Sequence, residues 1–370
     1  MGSKHFEDFR ESAIGLATDG IGIFKSQKKS CWPLLLIDYN LPPNIRIKQE
    51  FIIHLGVIPG EYHPSAIVKS LKIIRSIKKK IDICSFLTPI VQSFKALQYG
   101  VKLYDRFRNE SFIYKAHITH ILGDTPAISK MMGIKGVNSE FPCRNCKIQC
   151  QRGPSNTFYP ALHPPDEHAT HNVTYNSLRL PLWESNHFKV VADAVDEGRE
   201  WVSHHTGIKI KSPLMELSSI KPPWSFCIDF MHLILENIVA SMWKGLLGKT
   251  SNEFGDVSKH GNDILSKEVV SQIESEMKVG LNLSNIFYNN INKITKENKN
   301  NLPSSLSRNV VDIKGESGKL TAKHYWDLLV LYFPIILKDR VSNRRYQLMI
   351  NLQWIWLKII IKIYFIGGYK

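Results

Sequence analysis

Apolar positions along this chain fall first into short unbroken runs and later into a helical period. The run Ala13-Ile14-Gly15-Leu16-Ala17-Thr18 stops at Asp19-Gly20, a tight-turn pair. Cys31-Trp32-Pro33-Leu34-Leu35-Leu36-Ile37 stops at Asn40-Leu41-Pro42-Pro43, and Phe51 to Ile58 stops at Pro59-Gly60. Short apolar runs between Gly and Pro breakers predict three buried strands within 13–58. Over 64–105 the period changes, and Ile67, Leu71, Ile74 and Ile81 predict one face of a helix. A fourth strand is predicted over 112–122, ending at Asp124, and Thr125-Pro126-Ala127 opens a helix with proline near its first position. Residues 141–225, rich in Pro, His and Asn, read as an irregular insertion. Helical spacing returns at 228–247, through Ile228, Met231, Leu235 and Ile238, and again at 321–340. The Asn-, Lys- and Ser-rich stretch 284–308 reads as an exposed loop, and no internal repeat is evident.

Composition narrows the class. With 370 residues, 43% hydrophobic and 10% aromatic, the chain has material for a globular core and is not a disordered polymer. A formal charge of +15 favours a polyanionic partner, nucleic acid first, because basic surface displaces counterions from phosphates. The basic positions Lys72, Lys78, Lys79 and Lys80 on the predicted helix are the candidate DNA contacts, against the alternative of a merely solvated face. A polar start, Met1 to Arg10, shows no secretion signal, so an intracellular and nuclear protein is expected. The apolar stretch Leu352 to Ile366 carries Lys358 and Lys362 and is shorter than the roughly twenty residues of a membrane span. No membrane partner and no small-molecule substrate are expected, and homo-oligomerisation is left open.

Two constellations carry chemistry. Asp19 and Asp124 each end a strand-like run, and carboxylates that meet at strand ends can hold the divalent cations of phosphoryl transfer, Mg²⁺ or Mn²⁺. The plainer readings are a turn aspartate before Gly20 and a helix N-cap at Asp124. Separately, Cys143-x-x-Cys146 offers two thiolates to a tetrahedral Zn²⁺, which Asp229 and His232 of Asp229-Phe230-Met231-His232 could complete. Cys150, His163, His168 and His171 compete as ligands, and buried thiols without metal are the alternative.

Taken in order, Leu16-Ala17-Thr18-Asp19-Gly20, Trp32-Pro33-Leu34, Asn40-Leu41-Pro42-Pro43, Gly123-Asp124-Thr125-Pro126-Ala127, Cys143-Arg144-Asn145-Cys146 and Asp229-Phe230-Met231-His232 resemble the transposase of CACTA (En/Spm-type) DNA transposons. The resemblance runs from about residue 13 to 335. It implies an α/β protein with an RNase H-like core and a large, zinc-stabilised, mostly helical insertion. The implied layout is a first part of the core over 1–140, the insertion over 141–310, a late helix completing the core over 311–345, and an apolar tail over 346–370. It also implies DNA cleavage and strand transfer by an acidic triad with divalent metal, Asp19 resembling the first acid and Asp124 the second. Cys143, Cys146, Asp229 and His232 resemble the CxxC and DxxH signatures associated with zinc.

The third acid departs from that pattern. Lys323 and His324 of Leu320-Thr321-Ala322-Lys323-His324-Tyr325 stand where the resemblance expects glutamate. Glu236, Glu316 and Asp327 are the candidates to replace it. A truncated or degenerate copy is therefore expected, and the alternative function is an inactive relic that serves only to bind DNA or protein.

Overall fold

In a computed structural model, the described residues are 5–24, 27–59, 83–152, 157–158, 179–242 and 320–338, with single positions at 293, 297 and between 343 and 358. They divide into two compact units, Met1–Asp229 and Phe230–Lys370.

The first unit is organised by a five-stranded sheet. Strands β1 (Ser12–Thr18) and β2 (Ile21–Phe24) lie end to end along one edge of the long β3 (Gln27–Asp38), both antiparallel to it. Strand β4 (Ile52–Pro59) pairs antiparallel with the other edge of β3, after a single helical turn, α1 (Pro43–Arg46). Chain punctuation explains the ends: Asp19-Gly20 breaks β1 from β2, and Pro42 opens α1. The strand β2 was not expected from the sequence, being only four residues long.

Helix α2 (Ile83–Tyr99) buries Leu87, Val91 and Phe94, and residues 60–82, with the basic positions Lys72, Lys78, Lys79 and Lys80, lie outside the described residues. The expected helix does not run on to 105. Gly100 adopts φ +109, open to a residue without Cβ, and the chain turns into β5 (Val101–Asp105). The single strand expected at 112–122 is two strands. Its first part, β6 (Glu110–Tyr114), pairs with β5 in a separate two-stranded sheet, whereas β7 (Ala116–Leu122) pairs parallel with β1. Lys115 makes the hand-over, its carbonyl accepting from the Ser12 N–H at 3.0 Å.

Along β1 and β7 the pairing runs Ile14 with Ile118 and then Gly15 with His120, so Thr119 is an extra residue in the ladder. That bulge lets both Ile118 and Ile121 be fully buried, although three residues apart. Around them pack Leu16 of β1, Ile128, Met131 and Met132 of α3 (Thr125–Met132), and Phe188 and Ala192 of α4 (Ser185–Asp196). Helix α5 (Glu200–Thr206) follows α4. The segment around Cys143–Cys150 is not free-standing: Cys146 bridges Leu182, and the Trp183 N–H donates to the Asn145 carbonyl at 3.0 Å. A third chain segment joins the sheet beyond β7. Phe226 bridges Ile121 in parallel, with Ile121 N–H to the Ser225 carbonyl at 2.7 Å and Cys227 N–H to the Ile121 carbonyl at 2.9 Å.

The second unit is helical among its described residues. Met231–Val239 is wound as a π-helix, and Ala322–Ile336 runs through α-, π- and α-turns. Ile234, Leu235 and Val239 pack with Tyr325, Leu328, Leu329 and Phe333 as its core. The expected exposed loop at 284–308 lies almost wholly outside the described residues. The result is a mixed α/β protein.

Candidate functional site

The strand ends bring the two aspartates into register. Ala17 pairs with Leu122 on the parallel strands β1 and β7, and Asp19 and Asp124 each stand two residues beyond that pair. Both side chains are half-buried. Asp19 Oδ1 accepts from the Gly20 N–H at 2.7 Å, the geometry of a turn aspartate. Asp124 is the N-cap of α3, its Oδ1 accepting from the Ala127 N–H at 2.7 Å. Each carboxylate thus spends one oxygen locally, and neither Oδ2 carries a hydrogen bond among the described residues. The plainer local roles and a metal-holding role are compatible, since Mg²⁺ is commonly held by one or two carboxylates and waters.

Sequence reasoning missed the neighbours of this pair. Trp32 lies against Gly20, and the Lys130 ammonium sits 4.1 Å from the Trp32 ring centroid. Burial lowers the Lys130 pKa, opposed by the Asp124 charge, which places a cation within electrostatic reach of the second aspartate. Asp229 holds the matching place by count on the third segment. Counting three residues on from the bridged pair Ile121 and Phe226 reaches Asp124 on one segment and Asp229 on the other. No strand signal announced this, because the third segment pairs over only three residues after Pro222-Pro223.

Cys143 and Cys146 are brought together. Cys146 donates to Cys143, which lowers the Cys143 pKa despite burial and raises that of Cys146. Two adjoining thiols, one readily ionised, fit half of a tetrahedral zinc site. Between them in sequence, Arg144 is 9% exposed, and one of its terminal nitrogens has no hydrogen-bond partner among the described residues. Burial lowers its pKa against the charges of Cys143, Cys227 and Asp229. Asp229 is therefore within reach of a buried guanidinium. Cys150 donates to the Ser139 carbonyl at 2.7 Å, and His163, His168 and His171 lie outside the described residues. No group of three His, Cys, Asp or Glu side chains converges closely enough to hold a metal ion among the described residues.

His232 belongs to the second unit, 3.9 Å from Glu236 one helical turn on. Asp327 is buried and paired with Lys323 at 2.8 Å, while Glu316 lies outside the described residues. His324 has a structural use: its Nδ1 accepts from the Thr321 N–H at 3.0 Å, filling the capping-box position that glutamate commonly takes.

No helix among the described residues is long and apolar enough to cross a membrane. Residues 2–156 match the model described as transposase family tnp2, a span that holds Asp19, Asp124, Cys143 and Cys146 and stops short of Asp229 and His232. No curated protein matches the chain. The match spans less than half of the 370 residues and supports a transposase family and a transposase-derived function in that coarse sense.

Proposed function

We propose that the chain is a transposase-derived DNA-cleaving and strand-transfer domain of the CACTA (En/Spm) type, with an RNase H-like core. The observation that carries this reading is the shared register of Asp19 and Asp124 at the ends of adjacent parallel strands. The sheet supports it too: an antiparallel run β4-β3-β1, with β7 parallel on the far side of β1, suits an RNase H-like core. In this reading Asp19 and Asp124 hold the divalent cation, Mg²⁺ or Mn²⁺, through oxygens not committed to Gly20 and Ala127. When bound, such a cation supplies Lewis-acid activation of the attacking oxygen and charge stabilisation at the leaving one. The chain's own share is positional. Capping by Asp124 fixes its carboxylate to α3, and the Asp19-Gly20 turn fixes the other, so neither needs ordering when DNA arrives. Lys130, above Trp32, is placed to offset negative charge on a bound phosphate. Cys143 and Cys146 are the proposed thiolate ligands of a structural zinc.

The second reading is an inactive relic that only binds DNA or protein. It is favoured by Lys323 and His324 at the expected place of the third acid, and by the ion pair that occupies Asp327. Nicking of supercoiled DNA separates the two. Activity that requires Mg²⁺ or Mn²⁺ and disappears in Asp19→Ala and Asp124→Ala, but not in Asp38→Ala, supports the enzyme. Equal nicking by all four proteins removes it, and DNA binding without any nicking leaves the relic.

A further inference from the structure

The β5–β6 hairpin is a projection with two unlike faces. Residues directly opposite in its ladder share a face, so Val101, Leu103 and Asp105 line up with Tyr114, Phe112 and Glu110. That face is turned to the body of the unit. Tyr114 packs on the core, the Arg10 guanidinium lies 4.0 Å from the Phe112 ring centroid, and Arg10 pairs with Glu110 at 2.8 Å and Asp105 at 3.6 Å. Both acids of the hairpin are thereby used on the inner side.

Among the described residues nothing covers the outer face. Lys102 lies opposite Ile113 and Tyr104 opposite Ser111, and all four are exposed. Beside them Tyr99 is 88% exposed, and at the tip Phe107 is 97% exposed between Arg106 and Arg108. The tip is not loose. Asp105 Oδ1 accepts from the N–H groups of Phe107 at 3.0 Å and Arg108 at 3.1 Å, and Asn109 takes a left-handed φ of 57 with its side chain bonded to Tyr104. The Arg108 guanidinium rests 4.5 Å from the Phe9 ring centroid, tying the tip to the segment before β1. A two-stranded ribbon with one uncovered face is marginal in water, so holding an exposed phenylalanine at its tip is costly unless a partner uses it.

We propose that the outer face and tip of the β5–β6 hairpin form a docking surface for duplex DNA, with Lys102 and Arg106 on phosphates and Phe107 against the groove. The charge argues for this occupant. Lys102 on the outer face and Arg106 and Arg108 at the tip are cations, while Arg10 pairs with the two nearby acids, Asp105 and Glu110, in a protein of net charge +15. An aromatic flanked by arginines suits a polyanion whose bases and sugars offer apolar edges. Order at the tip lowers the entropy lost on docking. This surface rests on the reading of DNA as the partner, but not on cleavage.

The test uses the full chain and a labelled random-sequence duplex, in EDTA so that no cleavage intervenes, with affinity followed against salt. Lys102→Ala/Arg106→Ala is expected to flatten the slope of log affinity against log salt by about 2, one step per lost phosphate contact. Phe107→Ala is expected to weaken binding by about tenfold at every salt concentration, with the slope unchanged, as loss of an apolar contact should. Wild-type binding that neither substitution alters overturns the surface while leaving DNA as partner. A wild-type chain that does not bind the duplex overturns both. Sedimentation closes the remaining route: a loss of self-association in Phe107→Ala, with DNA affinity unchanged, assigns the face to a second copy and overturns the proposal.

Discussion

The carbonyl oxygen of Thr18 stands 2.7 Å from the place a Cβ would take on Gly123. These residues immediately precede Asp19 and Asp124, so the close approach of the two acid-bearing strand ends depends on glycine. An added methyl would also meet Ala127 Cβ at 3.2 Å, closing the escape toward α3. Gly123→Ala is therefore expected to part β1 from β7 where the carboxylates emerge. Its cost in stability should be about 1–3 kcal/mol, the range of small overpacking changes, measured by denaturant unfolding. Nicking should fall by about a hundredfold, because small displacements of catalytic groups cost far more in rate than in stability. A variant that loses stability and keeps its nicking rate would show that the pair need not be so close.

At the opposite end of β1 and β7 a buried polar pair gives the fold a pH dependence. Glu11 and His117, 3% and 2% exposed, meet at 3.2 Å between Glu11 Oε2 and His117 Nε2. Burial lowers the His117 pKa from its ordinary 6.5, more strongly than Glu11 raises it. Burial alone would raise the Glu11 pKa from 4.5, but the Phe6 N–H, His117 and Lys115 outweigh it and lower it. Both groups are then easier to protonate unfolded than folded. Stability from His117 is full above pH 6.5 and is lost as pH falls below that value, and the Glu11 share follows below 4.5. Thermal melts should show a plateau near neutrality and a decline in two stages. In His117→Gln the upper stage should vanish, with a loss at neutral pH of about 1–3 kcal/mol from the broken bond to a charged partner. An unchanged pH profile in that variant would mean that other groups set the acid limit.

How much of this was legible beforehand depended on whether local signals and tertiary ones agreed. The runs before Asp19, before Asn40 and before Pro59 are bounded by turn chemistry, and each is a strand of the main sheet. Asp124 is likewise marked, by Pro126 inside the first turn of α3. The hairpin was invisible because its residues alternate on a ribbon whose inner face is only partly covered, by Arg10, a cation remote in sequence. A helix pattern could therefore be read through 101–105, and a single strand through Lys115. The third parallel segment, Ser225–Cys227, has no periodicity to read, since its place is set by two backbone hydrogen bonds to Ile121. Lys130 entered no motif, Trp32 and Arg144 stood in motifs without a role, and only packing shows the three beside the acids and thiols.

The paired thiols make a separate prediction. If Cys143 and Cys146 hold zinc, metal analysis of the purified chain should find about one zinc per molecule, and Cys143→Ser should remove most of it. The mutant should also melt lower, because ligand binding that exists only in the folded state contributes directly to stability. Cys150, which donates to Ser139, is the control: Cys150→Ser should retain the metal. Unchanged zinc in Cys143→Ser, or none in the wild type, would leave Cys143 and Cys146 as a hydrogen-bonded pair of thiols.

The third acid is the remaining test of whether the chain cuts DNA. Glu236 faces His232 on its own helix, and Asp327 is buried against Lys323, so each has a local structural use. Asp229 stands three residues past Phe226 as Asp124 stands three past Ile121, in the unit that also holds Asp19. Asp229→Asn is therefore expected to abolish metal-dependent nicking, and to lower the melting temperature as well, since its charge acts on the buried Arg144. Asp327→Asn should differ, destabilising the chain through an uncompensated partner while sparing nicking in the fraction that stays folded. Glu236→Gln, exposed and next to His232, should change neither strongly. If Asp229→Asn nicks as the wild type does, the third carboxylate lies beyond the first unit. If instead the wild type is inactive and Lys323→Glu or His324→Glu brings nicking back, the late helix once carried that acid and the chain has lost it.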